Sequence, residues 1–157
     1  MENKLILLVE DNPRDEVLTL RALKKSKIAN SVVVARDGVE ALDYLFGRGA
    51  YADPASHVLP QLVLLDLKLP FVMGLDVLAW IREQSELKST IVIVLTSSRH
   101  TEDIRMAYQL GANAYLVKPA DLDALEEMMR TLKGFWLTQN VPSPDCGKWA
   151  VRESAKA

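Results

Sequence analysis

Hydrophobic residues cluster in five short, uninterrupted runs along this chain, and each run is followed by a segment with the spacing of an amphipathic helix. Uninterrupted apolar runs of this length are typical of strands buried on both faces of a parallel sheet. The five predicted strands are Lys4–Val9, Ser31–Ala35, Gln61–Asp66, Ile91–Thr96 and Ala114–Val117. Strict alternation of strands and helices implies right-handed crossovers, so the predicted fold is an α/β, doubly wound, five-stranded parallel sheet.

Residues that begin and end helices stand where this alternation requires them. The predicted N-caps are Asn12, which precedes Pro13, and Asp37, Thr101 and Asp121; the predicted helix stops are Gly47 and Gly111. The longer connection between Gly47 and Pro60 is predicted to be an ordered surface excursion within a single domain.

Carboxylates follow two of the predicted strands directly. Glu10 and Asp11 come after the first apolar run, and Asp66 ends the third. In the flavodoxin-like strand order 2-1-3-4-5, strands 1 and 3 are neighbours, and their carboxyl ends form the switch point of the sheet. Like charges this close raise one another's pKa, and Mg²⁺ is the usual cation for a site built from carboxylates and a carbonyl. The sequence therefore predicts a Mg²⁺ site that is suited to phosphoryl chemistry.

A hydroxyl and an ammonium group follow the last two strands. Thr96 ends the fourth strand, and Lys118 follows the fifth. In this topology both rise at the edge that carries the carboxylates, so a phosphoryl group on Asp66 would have a hydroxyl donor and a compensating cation beside it. A cis bond before Pro119 is predicted to help aim the lysine inward.

Taken together, these residues resemble the receiver domains of two-component response regulators. The resemblance covers about residues 4–138 and leaves 139–157 as a C-terminal tail. It rests on residues that occur in the expected order on the expected elements: Glu10 and Asp11, Asp66 with Pro70 and Gly74, Thr96 and Ser97, Tyr115, and Lys118 with Pro119. The resemblance implies a signalling protein, not an enzyme, with a sensor histidine kinase as its partner.

The resemblance also implies a role for each site residue. Asp66 is the phosphoacceptor, Thr96 and Lys118 bind the phosphoryl group, and Tyr115 is the switch aromatic. The implied Mg²⁺ ligands are Glu10, Asp11, Asp66 and the backbone carbonyl of Lys68. The long connection before strand 3 and the segment Phe135–Thr138 resemble most closely the stand-alone regulators that are paired with phytochrome kinases.

The chain departs from the receiver pattern in two places. Lys68 and Ser98 occupy positions that control access of water to the acyl phosphate in receivers, so the lifetime of the phosphorylated form stays open. The loop Phe71–Met73 is more apolar than is usual before the loop glycine, which favours docking to a partner helix.

Two other functions fit part of this pattern. A Mg²⁺-dependent phosphohydrolase with Asp66 as its nucleophile would need a second acid two residues later, where this chain has Lys68. An interaction module that keeps the site as a relic would not need the complete set of acidic pair, acceptor, hydroxyl and lysine.

The composition limits which binding partners and which cellular compartment we expect. A net charge of −2 without a basic run gives no reason to expect nucleic acid or an anionic membrane. The apolar runs are too short to span a bilayer, and Met1–Lys4 leads directly into the first of them. The single cysteine, Cys146, cannot form an intrachain disulfide. We therefore expect a cytoplasmic protein without a signal peptide or an output domain.

Large apolar residues at the end of the fifth helix predict that the protein forms a dimer. Phe135, Trp136 and Leu137 lie roughly 20 Å from the start of that helix, since each residue adds about 1.5 Å, and they should project beyond the sheet. Exposed apolar groups of this size usually mark an interface. We predict a two-fold homodimer through helix 4, strand 5 and helix 5, with Val141 and Pro142 on the partner.

Overall fold

The computed structural model describes residues 5–53 and 58–147, and in them the five strands form one parallel sheet in the order 2-1-3-4-5, as predicted. The strands are β1 (Ile6–Val9), β2 (Val32–Ala35), β3 (Leu62–Leu65), β4 (Ile91–Thr96) and β5 (Ala114–Val117). The helices are α1 (Pro13–Lys25), α2 (Gly38–Phe46), α3 (Gly74–Glu83), α4 (Thr101–Gln109) and α5 (Leu122–Gly134). A 3₁₀ turn (Gly49–Tyr51) and a π-helical turn (Phe135–Gln139) complete the fold.

Side chains of each strand alternate between two hydrophobic layers. On β1, Ile6 and Leu8 face the layer that α1 and α5 cover, whereas Leu7 and Val9 face the layer beneath α2 and α3. The central strands β1, β3 and β4 are buried along their whole length. Both faces of the sheet are therefore covered, which explains why the strands are continuous apolar runs.

Most helix termini follow the chemistry of their residues. The side chains of Asn12, Asp37 and Asp121 accept hydrogen bonds from backbone N–H groups in the first turns of α1, α2 and α5, as predicted. The prediction for α4 is wrong by one residue, because His100 is the N-cap and Thr101 is already helical. Gly47 ends α2 in the left-handed conformation.

The connection before β3 and the chain after α5 agree only in part with the sequence predictions. The Gly47–Pro60 connection forms the 3₁₀ turn, but its residues 54–57 lie outside the described part of the chain. After α5 the chain turns back, and the thiol of Cys146 lies 3.4 Å from the carbonyl oxygen of Gln61, at the start of β3. No helix in the described residues is both long enough and apolar enough to cross a bilayer.

The loop between β3 and α3 passes so close to the end of β3 that Gly74 cannot carry a side chain. An added Cβ would lie 2.1 Å from the carbonyl oxygen of Asp66 and 2.7 Å from the Cα of Leu67. The N–H of Gly74 donates to the carbonyl of Leu67 at 2.9 Å, which closes the loop. The loop that begins at Asp66 is therefore held by backbone contacts.

Replacing Gly74 by alanine should lower the free energy of unfolding by about 1–3 kcal/mol, because the loop must move to admit the new methyl group. Gly134→Ala is the matched control, since a Cβ there meets nothing within 4 Å. The control should gain about 0.5–1 kcal/mol from reduced chain entropy. Urea denaturation measures both changes, and equal stability of the two variants would contradict the described loop packing.

Candidate phosphoacceptor site

Glu10 and Asp66 meet at the carboxyl edge of the sheet because β1 and β3 are adjacent and in register. Val9 pairs with Leu65, so the residues that follow them are neighbours. The backbone N–H of Asp66 donates to the carbonyl of Val9 at 3.1 Å. Both acids are buried, with 2% of Glu10 and 7% of Asp66 exposed. Two buried carboxylates in contact require compensation by a cation or by a shared proton.

The ammonium group of Lys118 supplies that compensation. Its Nζ donates to Glu10 Oε1, to Asp66 Oδ2 at 2.8 Å and to Asp15 Oδ2 at 3.0 Å. The N–H of Lys118 donates to the carbonyl of Thr96, which fixes the start of the loop after β5 against β4. The predicted cis bond before Pro119 is wrong, since the described residues contain no cis peptide bond. The flexible lysine stem reaches the carboxylates from a trans backbone.

Asp15 is a member of this cluster that sequence reasoning missed. It lies in the first turn of α1, with its N–H bonded to the side chain of the N-cap Asn12. Because α1 begins at the carboxyl end of β1, its first turn starts near the switch point, and the side chain of Asp15 reaches Lys118 from there. The position of Asp15 in the first turn of α1 is the sequence feature that could have identified it as a site residue.

The three central groups shift one another's pKa. Burial and the hydrogen bond to Asp66 raise the pKa of Glu10 to about 7. Burial alone would raise the pKa of Asp66, but its hydrogen bonds with Glu10 and Lys118 outweigh that effect and lower its pKa. Burial opposes the charge of Lys118, but its hydrogen bonds to Asp66 and Glu10 outweigh burial and raise its pKa. Asp66 is therefore ionised at neutral pH and lies against a permanent cation.

The acidic residues also form a donor set for a metal ion. One carboxylate oxygen from each of Glu10, Asp11 and Asp66 lies within 4.8 Å of the others, and Asp11 is exposed to solvent. All three donors are hard oxygens, which is the chemistry that divalent cations such as Mg²⁺ and Mn²⁺ prefer. The residues present fit a hard divalent cation, with an open side from which it can enter.

Thr96 and Tyr115 both contact the loop after β4, at Ser98. Thr96 is completely buried and hydrogen-bonds to Asp66. The hydroxyl of Tyr115 donates to the carbonyl of Ser98 at 3.0 Å, and the hydroxyl of Ser98 bonds to Asp103 Oδ2 at 2.5 Å. This loop therefore connects the acid site to α4 and to Tyr115. Sequence reasoning missed Asp103, whose signal was its place in the first turn of α4.

The backbone of Lys68 lies beside the carboxylate of Asp66. The backbone N–H groups of Leu67 and Lys68 approach Asp66 Oδ1 at 2.7 and 3.4 Å. These bonds orient one oxygen of Asp66 toward the loop, while its other oxygen faces Lys118. The two oxygens of the carboxylate are thus in different surroundings.

The apolar residues predicted for an interface are only partly exposed. Phe135 is 52% exposed, whereas Trp136 and Leu137 pack against the layer between α1, α5 and the sheet. The expectation that all three project beyond the sheet is therefore wrong for Trp136 and Leu137, which are half-buried against that layer. Beside Phe135, a cavity of about 560 Å³ opens between β5 and α5.

The fold and the site together define a class of protein that accepts a phosphoryl group. The sheet is doubly wound, and its carboxyl edge carries paired acids, a central aspartate, a buried threonine and a lysine. Residues 6–130 match the response regulator receiver domain family. The chain belongs to that family, whose members are signalling proteins phosphorylated on an aspartate by a histidine kinase.

Several relatives resemble nearly the whole chain. It is 40% identical to response regulator Rcp1 of Synechocystis sp., over 85% of this chain and 89% of Rcp1. The structure of Mn²⁺-bound Rcp1 has a TM-score of 0.80 at 38% identity, covering 89% of this chain and 99% of that one. The phosphorylated cyanobacterial phytochrome response regulator RcpA has a TM-score of 0.82 at 41% identity, covering 90% and 99%. The bacteriophytochrome response regulator AtBRR is 48% identical with a TM-score of 0.71, covering 90% and 100%.

The phosphohydrolase alternative gains no support from these relatives. The residue two positions after Asp66 is Lys68, as the sequence showed, and the matched family consists of signalling receivers.

Removing the ammonium group at the centre of the site should destabilise the fold. Lys118→Met leaves buried carboxylates without their cation and should lower the free energy of unfolding by about 3–5 kcal/mol. Arg130→Met removes an exposed ion pair with Glu127 and should change stability little. Urea denaturation with a chelator present compares the two. A loss for Lys118→Met no larger than for the control would contradict the described charge balance.

Proposed function

We propose that Asp66 is the phosphoacceptor of this receiver and takes its phosphoryl group from the phosphohistidine of a sensor histidine kinase. A carboxylate oxygen of Asp66 bonds to phosphorus as the P–N bond to the histidine breaks, and the histidine nitrogen keeps the electron pair. The product is an acyl phosphate on Asp66. The observation that carries this proposal is the buried carboxylate of Asp66, which hydrogen-bonds to Lys118 and Thr96 and whose pKa those bonds lower.

Lys118 and Thr96 have separate tasks in this proposal. The ammonium of Lys118 already contacts Asp66 Oδ2, so it stays beside the phosphoryl oxygens and balances their charge. The hydroxyl of Thr96 donates to a phosphoryl oxygen in place of its present bond to Asp66. Tyr115, whose hydroxyl donates to the carbonyl of Ser98 in the loop after β4, then follows Thr96 and acts as the switch between two surface states.

We propose Mg²⁺ as the resident cation, held by Glu10, Asp11, Asp66 and the backbone carbonyl of Lys68. A bound divalent cation neutralises phosphoryl oxygens and so permits attack by an anionic carboxylate. The carboxylate cluster supports this proposal, and so does the related Rcp1, whose structure contains Mn²⁺. Lys68 and Ser98 occupy the positions that control access of water to the acyl phosphate in receivers, and we assign them control of its lifetime here.

We propose a phytochrome-type kinase as the partner. The support is the similarity to RcpA and AtBRR, which are phytochrome and bacteriophytochrome response regulators. We further propose that residues 1–138 are the receiver and 139–157 a tail, and that the protein works in the cytoplasm, where its single thiol stays reduced.

A two-fold homodimer through α4, β5 and α5 is a further part of the proposal. Phe135 and the adjoining cavity give this face its exposed apolar surface, and Val141 lies outside the core. Since Trp136 and Leu137 are partly buried against the core, their share in the interface is to support Phe135.

Phosphorylation should require Asp66 and a divalent cation together. Incubation with a panel of histidine kinases, radiolabelled ATP and Mg²⁺ should label the wild type, and Asp66→Asn or excess chelator should reduce the label to background. Asp76→Asn, an acid in the first turn of α3, should keep wild-type labelling. Label that survives the Asp66 change or full chelation would contradict the proposed chemistry.

The dimer should depend on Phe135. Light scattering at micromolar concentration should give a dimer mass for the wild type and a smaller mass for Phe135→Ala, because the change removes the most exposed aromatic group on that face. Phe71→Ala, an exposed aromatic in a loop on the other side of the sheet, is the control and should stay dimeric. A monomeric wild type, or a dimer that the Phe135 change leaves intact, would refute this interface.

A further inference from the structure

Phe71 combines two features that are unfavourable for a residue of its kind. Its side chain is 86% exposed, although it is a large aromatic group. Its φ angle is +67°, and the N–H of Val72 donates to the carbonyl of Pro70 at 2.8 Å, so Phe71 is the central residue of a strained γ-turn. Such a turn is easiest for glycine. An exposed aromatic held in a strained turn is a candidate contact for another molecule.

The turn forms one wall of a surface cavity. The cavity measures about 520 Å³ and is open to solvent, and its opposite wall comes from α2 and the 3₁₀ turn. The residues that line it are Asp37, Val39, Glu40, Asp43, Ala50, Tyr51 and Phe71. We call it the α2 pocket. The rings of Tyr51 and Phe71 and the exposed side chain of Val39 make the base of the pocket apolar. The three acids of the lining surround that base.

Backbone contacts fix the two walls relative to each other. Gly38 begins α2 directly against the loop, and a Cβ there would lie 2.2 Å from the carbonyl oxygen of Val72. Tyr51 is held from the other side, since its hydroxyl donates to Glu40 Oε1 at 3.2 Å and its ring packs edge-on against Tyr44. The α2 pocket is therefore preformed, which reduces the entropy lost on binding.

The charge of the pocket is negative after its neighbours are counted. Two guanidinium groups lie nearby. Arg36 pairs with Glu16 at 2.9 Å, and Arg48 pairs with Asp43 at 3.4 Å while its guanidinium lies over the ring of Phe46. Those two cations face four carboxylates, because Asp37 and Glu40 also line the pocket. None of the described lining residues is cationic. The surplus of negative charge selects a cationic occupant.

We propose that the α2 pocket is a docking site for an arginine side chain of a partner protein, with a large apolar residue beside it in the partner's sequence. Arginine fits better than lysine because its planar guanidinium stacks on aromatic rings and pairs with carboxylates through two bonds. The neighbouring apolar residue packs against Phe71. The pocket adjoins the loop that begins at Asp66, so the partner docks beside the acid site. The proposal does not depend on phosphorylation.

Nuclear magnetic resonance with ¹⁵N-labelled full-length protein tests the proposal. The probe is the peptide acetyl-Leu-Arg-Leu-Arg-Leu-amide, and the matched probe has glutamine at both arginine positions. The arginine peptide should shift the amide signals of Asp37, Glu40, Tyr51 and Phe71 in a saturable, salt-sensitive way. The glutamine peptide should shift them little. Equal shifts with both peptides, or shifts spread over acidic residues elsewhere, would overturn the proposal.

Variants of the two walls sharpen the test. Phe71→Ala and Asp43→Asn should each weaken binding of the arginine peptide about fivefold, as expected for one cation–π or charge contact. Tyr108→Ala and Glu102→Gln alter an exposed aromatic and an exposed acid on α4, and they should leave binding unchanged. Unaltered binding to Phe71→Ala, or an equal loss in the α4 controls, would overturn the proposal.

A glycine variant separates docking from folding. Phe71→Gly should keep or raise the thermal midpoint, since glycine accepts the positive φ angle, and it should lose binding of the arginine peptide. A lowered midpoint would show that Phe71 serves the fold, and would overturn the proposal. Signals of the pocket that shift with protein concentration alone would assign it to a second copy of this chain, which would also overturn it.

Discussion

The contact between the ammonium of Lys118 and the buried carboxylates of Glu10 and Asp66 is the interaction on which the site depends. Parallel strand pairing forces the two acids together, because the residues after Val9 and Leu65 must be neighbours. Their repulsion would destabilise the sheet edge without a cation. Lys118 reaches them from the end of β5, and its hydrogen bonds keep Asp66 ionised. The same contact stabilises the fold and, in the proposed function, prepares the carboxylate of Asp66 for attack on phosphorus.

The loops around this cluster connect it to the surface. On one side, the loop from Asp66 to Gly74 is closed by backbone contacts that leave no room for a side chain at Gly74. On the other side, Thr96 is followed by a loop whose carbonyl at Ser98 accepts from Tyr115. In the proposed function, the charge of a phosphoryl group on Asp66 would act on both loops, and a local charge change of this kind biases a surface that has two states.

Much of the fold was predictable because its strands are local patterns. Continuous apolar runs gave β4 and β5 at their observed bounds, and the N-caps Asn12, Asp37 and Asp121 need only short-range hydrogen bonds. What sequence reasoning missed depends on contacts distant in the chain. Asp15 joins the site through Lys118, 103 residues away, and Trp136 turns back onto the core of the sheet. The cis bond expected before Pro119 was unnecessary because the lysine stem is long enough without it.

Chemical mapping of the phosphorylated residue tests the central claim most directly. Borohydride reduces an acyl phosphate on aspartate to the alcohol of homoserine, and it leaves phosphoserine, phosphothreonine and phosphohistidine unconverted. Peptide sequencing by mass spectrometry after kinase treatment and reduction should place homoserine at position 66. Reduction at Asp11 or Asp15, or phosphorylated protein without any reducible residue, would contradict the account.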